Sequence, residues 1–279
     1  MGESRAVNRS QRGPATVGSL REDLEVLGVS RGSLLLVHSS MSALGWVCGA
    51  QQTVIAALRH VLGPEGTLVM PAHSAGLSEP SYWQNPPVPD SWWPVIRAQM
   101  PAFDPAATPT RGMGVIAEAF RALPGVRRSN HPTASFAALG PLAEEICGTH
   151  DLEDGLGNGS PLGAMYRLGG DVLLLGVRHD SNSSLHLAER RAFGTAQITI
   201  PTGAPVMAGD RRVWRTFDEP DVDSDDFVAL GEHIEAHEGL VTTGLVGNAV
   251  ARLMRQQAVV DAAIPWLIGN RNADGTCPS

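Results

Sequence analysis

The stretch Asp171–Arg190, DVLLLGVRHDSNSSLHLAER, decides the fold class. An unbroken apolar run passes into small and polar residues and then into LHLAER, whose spacing is helical. Runs of this kind read as strands covered on both faces, because a half-exposed strand would alternate apolar with polar. Two other stretches share the plan: SLLLVHSS (Ser33–Ser40) and GTLVMPAHS (Gly66–Ser74) also end in small residues with a histidine among them. Between these two, Val54, Ile55, Ala57, Leu58, Val61 and Leu62 share a helical face that stops at a Gly-Pro pair. The pattern predicts an α/β protein with a mixed central sheet flanked by helices. It also puts histidines near the carboxyl ends of strands, where open α/β sheets bind ligands.

Further out, Pro80–Pro109 carries Trp83, Trp92 and Trp93 without helical or strand period, the mark of a long binding loop or lid. MGVIAEAFRALPG predicts a helix, SFAALGPLAEEICGTH a strand edge followed by a helix, and SPLGAMYRLGG a short helix begun by Ser160 and Pro161. Gln197–Val213 predicts a hairpin around GAP and AGD. Two helices are expected near Ser224–His237 and Gly247–Gln257, then a shorter one. Residues 1–15 are expected to be a loose tail and 16–279 a single domain, since the chain shows neither a repeat nor a break in composition.

The 279 residues are 43% hydrophobic, enough for a substantial core. The longest apolar run is of strand length, well short of the roughly 20 residues that span a bilayer, and MGESRAVNRS lacks the apolar centre of a secretory signal. Cys48, Cys147 and Cys277 are scattered with no CxxC pair, so a reducing cytoplasm is expected, with no disulfide framework and no cysteine metal site. A net charge of -8, from 29 acidic and 21 basic side chains, disfavours nucleic acid and suits a cationic partner.

No P-loop, H-E-x-x-H or G-x-S-x-G is present, and GLGNGSPLG misses the dinucleotide-binding glycine spacing. Four segments remain. HSSMSALGWVCGAQQTV reads as a well-capped βα loop or as an anion cradle. TPTRGMGVIAEAF sets Thr110, Arg111, Gly112 and Gly114 before a helix, as a turn and cap or as a ligand contact. RRSNHPTASFAALG holds His131 and Ser135, with His131 a structural hydrogen-bonder or part of a site. In the opening stretch, a helix capped by Asp180 or Ser181 and running to about Ala192 would put His186 and Glu189 one turn apart, as a surface pair or as a base with its acid.

Together these segments spell H-S-S-x-S-x-L-G-W-V-x-G, P-T-R-x-M-G-x-x-A-E, R-S-x-H-P-x-x-S-F-A-A-x-G and L-L-G-V-x-H-D-S-N-x-S-L-H-L-A-E. In that order and spacing, over about Leu20–Trp266, the chain resembles the aminoglycoside 3-N-acetyltransferase family. The resemblance implies acetyl-CoA as co-substrate, no metal, and acetylation of the 3-amino group of 2-deoxystreptamine antibiotics, conferring resistance. It also implies a fold distinct from the larger acetyltransferase superfamily with its R-x-x-G-x-G acyl-CoA loop, a monomer or homodimer, and no nucleic-acid or membrane partner.

Carried onto this chain, the resemblance implies coenzyme contacts at Ser39, Ser40, Gly45, Trp46, Val47, Thr110, Arg111, Met113 and Gly114, with His131 and Ser135 bordering them. His186 corresponds to the catalytic base, and Glu189, Asp218 or Glu219 to its acidic partner. Asp180, His179, Glu189, Glu219 and Asp221 are expected at the antibiotic, while Asp151, Glu153 and Asp154 read as solvated loop charge. Arg178 stands where the family commonly has glycine, and Ser183 where threonine is common. An aminoglycoside amine is mostly protonated at neutral pH, so attack on a thioester needs a proton acceptor, and histidine's ordinary pKa of about 6.5 suits that task. The Ser39–Ser42 loop is expected to steady the carbonyl oxygen. Three other readings are a related enzyme acting on a different amine, a protein that sequesters polycations, and a zinc hydrolase using His38, His73 and His179.

Overall fold

Three apolar runs form adjacent parallel strands at the centre of a seven-stranded sheet in the computed structural model, which describes residues 2–10 and 13–272. Helices α1 (Gly2–Arg9) and α2 (Val17–Leu27) lead into β1 (Leu34–Ser39), and α3 (Ala50–Leu62) crosses over to β2 (Thr67–Pro71). Then come α4 (Trp93–Gln99), α5 (Gly114–Arg121), the two-residue β3 (Arg127–Arg128), β4 (Phe136–Leu139), α6 (Ala143–Cys147), α7 (Pro161–Arg167) and β5 (Asp171–Leu175). The chain continues through α8 (Ser184–Phe193), the hairpin β6 (Thr199–Ala208) and β7 (Arg211–Pro220), α9 (Phe227–Glu235), β8 (Val241–Val246), β9 (Ala249–Arg255) and α10 (Gln256–Asn270).

The strand order is β3-β4-β2-β1-β5-β9-β8. β1 pairs in parallel with β2 and β5, putting Leu36 beside Val69 and Val172, while β4 and β9 run antiparallel on either side. The sheet is therefore mixed, with a parallel centre. Alternation along the strands divides the core. Leu35, Val37, Leu68, Met70, Leu173 and Leu175 pack toward α2, α3 and α5, and Leu36, Val69, Val172 and Leu174 toward α7, α8, α9 and α10. Each fully buried leucine contributes about 1.5–3 kcal/mol by leaving water, so continuous apolar strands are stable only with helices on both faces. The loops that leave the carboxyl ends of β1, β2 and β5 emerge side by side and build the site.

Five expectations change. Gly247–Gln257 is not helical: Gly247 (φ 58) and Asn248 turn the chain between β8 and β9. Its helix-favouring composition is overruled by pairing with β5, where Ala249 and Ala251 face the core and Val250 faces out. The following helix is not short, since α10 has 15 residues. In the hairpin only the AGD segment turns; GAP lies inside β6, and β7 continues to Pro220, so WRTFDEP is strand. Pro80–Pro109 contains the helix α4. Within the expected tail, Gly2–Arg9 is helical. Just after it, the Ser10 hydroxyl accepts a 2.7 Å bond from the Trp46 N–H, and Ala15 bonds to both Trp46 and Cys48. Cys48 is an exposed thiol and Cys147 a buried one; Cys277 lies outside the described residues.

Candidate active site

After β5 the chain makes a single 3-10 turn, His179–Ser181, before α8 begins at Ser184. Neither Asp180 nor Ser181 caps this helix; the Asn182 side-chain carbonyl accepts from the Ser184 N–H at 3.2 Å. One turn into α8, His186 Nδ1 lies 2.5 Å from Glu189 Oε2. Glu189 is only 2% exposed, and its second oxygen, Oε1, accepts from Nη1 of Arg271. A buried carboxylate is costly unless paired, and here both oxygens are. With Nδ1 committed to Glu189, the Nε2 edge of the imidazole is left for solvent.

That edge stands where two cavities meet. The larger, about 810 Å³, is lined by Ser39–Ser42 after β1, Gly112–Val115 at the start of α5, and Asp180, Ser181 and Ser183. The smaller, about 270 Å³, lies between Thr133–Ala134, Asp154–Gly157, Gln197 and the Glu219–Val222 end of the hairpin. His73, Leu156, His186 and Val222 line both. Two further imidazoles, His38 and His73, line the larger cavity at the ends of β1 and β2, and burial lowers each to about 3, so both are neutral. Across the smaller cavity, burial and the neighbouring Asp221 push the Glu219 carboxyl up to about 7.

Comparison with known proteins identifies the family. A model of the family described as aminoglycoside 3-N-acetyltransferase matches residues 36–268. The chain belongs to the aminoglycoside 3-N-acetyltransferase family. It is 46% identical over 258 residues to the SPbeta prophage-derived aminoglycoside N(3')-acetyltransferase-like protein YokD of Bacillus subtilis, covering 92% of this chain and 94% of the relative. It is 38% identical to aminoglycoside N(3)-acetyltransferase VIII of Streptomyces fradiae, covering 96% of each. Among solved structures, YokD superposes with a TM-score of 0.92 at 44% identity, over 96% of this chain and 98% of that one. The AAC-IIIb binary complex with CoASH gives 0.82 at 33%, over 91% and 97%. AAC-VIa bound to sisomicin gives 0.82 at 30%, over 91% and 98%.

The motif residues of this aminoglycoside 3-N-acetyltransferase family member separate into those that reach the cavities and those that support them. Ser39, Ser40, Met113 and Gly114 line the larger cavity, with the Ser40 and Ser42 hydroxyls 3.1 Å apart. Thr110 lies in a shallow groove outside α5, and its N–H and hydroxyl both donate to Glu118 Oε2. Burial would raise the Glu118 carboxyl, but the bonds from Arg121 and Thr110 bring it down to about 2. Arg111 is exposed and lines neither cavity; it bonds to the carbonyls of His73 and Asn85. Gly45, Trp46 and Val47 also stand outside both cavities, holding the N-terminal segment, and a Cβ on Gly45 would meet the Ser10 hydroxyl at 2.8 Å.

His131 and Ser135 are fully buried supports. His131 Nδ1 accepts from the N–H groups of Thr133 and Ala134, shaping the turn that presents those two residues to the smaller cavity. Burial lowers His131 to about 4 and its stacked neighbour His150 to about 3. Ser135 donates to the Ala72 carbonyl and accepts from Arg128.

Among the three carboxylates considered as partner of His186, only Glu189 touches it. Asp218 is exposed on the face of β7 opposite buried Phe217 and lines neither cavity; Glu219, on the inner face, lines the smaller cavity with Asp221. Glu189 lies behind His186 and is not among the residues that line either cavity. His179 is turned away too, 3.2 Å from Glu235 and packed on Gly231, so the three-histidine zinc reading loses a member. Among the described residues no group of His, Cys, Asp or Glu could hold a metal ion.

Asp180 is exposed at the larger cavity and Arg178 lines neither. Asp154, read as loop charge, is paired with Arg190 at 2.9 Å in the smaller cavity's wall. Ser183 is buried at the cavity floor. Sequence reasoning missed His38 and His73 as neighbours of His186, although their places at strand ends carried the signal. It also missed Arg271, for which no local signal existed.

Proposed function

We propose that this protein transfers the acetyl group of acetyl-CoA to the 3-amino group of a 2-deoxystreptamine aminoglycoside by direct transfer, with His186 as general base. The observation that carries the reading is His186 at the junction of two cavities, its Nδ1 held by Glu189 at 2.5 Å. Family membership and the CoASH- and sisomicin-bound relatives supply the chemistry of the two ligands. The larger cavity fits a slender pantetheine arm: its wall is bare backbone at Gly112, where a Cβ would meet nothing within 4 Å, beside serine hydroxyls. Ser39, Ser40, Ser42 and Gly112–Gly114 would hold it. When bound, acetyl-CoA supplies an electrophilic thioester carbonyl.

Glu189 accepts the Nδ1 proton, a tautomer assigned from the hydrogen bond, which leaves a lone pair on Nε2. His186 takes a proton from the amine as its nitrogen bonds to the thioester carbonyl carbon, and Glu189 stabilises the imidazolium, as in a triad without a nucleophilic serine; the C–S bond then breaks, and the imidazolium returns that proton so that the coenzyme leaves as its thiol. The Ser39–Ser42 loop supplies donors to the carbonyl oxygen as charge builds on it. Glu219, Asp221 and Asp180 hold the remaining ammonium groups.

The test is thiol release from acetyl-CoA against aminoglycosides differing at ring positions 3, 5 and 6, with the acetylated nitrogen located by NMR. Modification at position 3 is expected, together with raised inhibitory concentrations in a sensitive host expressing the protein. Release with no aminoglycoside would refute the substrate class and leave a different amine or simple sequestration. Wild-type turnover in His186→Ala would refute the base.

A further inference from the structure

Arg271 follows the last turn of α10, where its N–H caps the helix on the Leu267 carbonyl. It lies three residues beyond the segment matched by the family model. The residue is 6% exposed, and its guanidinium makes four bonds: Nη1 donates to Glu189 Oε1, Nε and Nη2 to both oxygens of Asp226, and Nη2 to the Asp223 carbonyl. Its plane also lies 5.4 Å from the Phe227 ring, which stands 4.7 Å from the His186 imidazole. Two routes thus run from one side chain to His186, one through Glu189 and one through Phe227.

The chemistry of Glu189 explains what this arrangement does. A carboxylate this deeply buried, with only an imidazole beside it, relieves its desolvation by rotating toward water. That rotation would remove the acceptor that keeps a proton on Nδ1. A guanidinium never deprotonates in a protein, and its planar fork fixes one carboxylate oxygen in place. Asp226 and the Asp223 carbonyl fix the fork in turn.

We propose that Arg271 is a positioning residue for the acetyl transfer: by occupying Glu189 Oε1 it keeps that carboxylate turned so that Oε2 holds His186 with Nε2 free toward the amine. This rests on the base role given to His186 above. The residue that follows α10 therefore supports the site without touching either substrate.

The experiment compares Arg271→Ala, Arg271→Lys and Asp226→Asn with wild type at a temperature where melting curves show each folded. Its readouts are kcat, KM for both substrates, and the downfield proton resonance of the His186 Nδ1–H. Arg271→Ala is expected to lose the resonance and to lower kcat by roughly 10–100-fold, the scale for removing a group that orients a histidine through its partner. KM values should stay within about twofold, because no substrate contact is removed. Lysine should restore part of kcat by returning a charge to Oε1, and Asp226→Asn should fall between.

A folded Arg271→Ala protein with wild-type kcat and resonance overturns the proposal, as does a loss confined to KM. Should the alanine variant not fold, wild-type kcat and resonance in both Arg271→Lys and Asp226→Asn overturn it. If wild type acetylates no aminoglycoside, the proposed function fails on its own, and Arg271 is judged by the resonance in the same variants.

Discussion

Glu219 gives the sharpest prediction because its two effects have opposite signs. It lies in β7 opposite Ile200, on the inner face of the hairpin, and burial with Asp221 beside it raises its carboxyl from 4.5 to about 7. A carboxyl whose pKa is higher in the folded chain keeps its proton there while the unfolded chain has lost it. Stability therefore falls as pH rises from 4.5 toward 7, and the full cost persists above 7. Each pH unit of the difference is worth about 1.36 kcal/mol, so the ionised group costs about 3 kcal/mol in the free protein. Glu219→Gln keeps the shape and removes the charge.

Urea unfolding should accordingly show Glu219→Gln more stable than wild type by about 3 kcal/mol at pH 8.5, shrinking to about 1 kcal/mol at pH 5. Binding should show the reverse. An ammonium group against Glu219 and Asp221 offsets the stored cost, so a saturating aminoglycoside should raise the wild-type midpoint more than the variant's at pH 8.5. A stability difference that ignores pH, or a variant no more stable than wild type at pH 8.5, would refute the reasoning.

Other expectations follow from the same geometry. Burial holds His38, His73 and His150 at about 3 and His131 at about 4. The unfolded chain binds those protons first, so the stability these groups carry is complete above 6.5 and each loses about 2 kcal/mol of it by pH 5; melting of Glu219→Gln, which lacks the opposing term, should drop steeply over that range. Glu189→Gln should lower kcat by roughly 10³–10⁴-fold, on the scale of replacing a triad acid by its amide, whereas Asp218→Asn, on the outer face of β7, should leave kcat unchanged. Gly231→Ala would drive a Cβ to 2.2 Å from the His179 ring, and a loss of about 1–3 kcal/mol is expected in denaturant midpoints. Gly112→Ala should raise KM for acetyl-CoA more than KM for the aminoglycoside, since it fills the larger cavity's wall.

What could be read in advance depended on whether the deciding neighbour lay close along the chain. β1, β2 and β5 were legible because burial on both faces leaves an unbroken apolar run. β9 was not: ARLMR is made of helix formers, and pairing on both sides, with β8 and with β5 some 80 residues upstream, makes it a strand. His186 and Glu189 share one helical turn, so spacing alone brought them together. The choice among Glu189, Asp218 and Glu219 stayed open until the hairpin register showed which side of β7 faces inward. His131 and Ser135 belong to a motif yet support a turn, since sequence does not distinguish a residue that touches a ligand from one that holds the residue that does. Arg271 is 82 positions from Glu189 and sits in a polar stretch, where nothing local singles out one cation.

On the proposed mechanism the two halves of the site pull an amine's charge in opposite directions, and their separation lets the chemistry proceed. Glu219 and Asp221 favour ammonium, which binds a polycation but makes an amine beside them a poor nucleophile. Around His186 the surroundings act the other way. The desolvation that brings His38 and His73 down to about 3 penalises any cation placed among them, including the ammonium form of the amine to be acetylated. On that mechanism an aminoglycoside lying with its other amines on the hairpin carboxylates and the 3-amino group among the imidazoles would be held by charge at one end and stripped of a proton at the other. A uniformly acidic pocket would bind such a molecule more tightly and acetylate it more slowly, because binding energy spent on the reacting ammonium must be given back before it can attack.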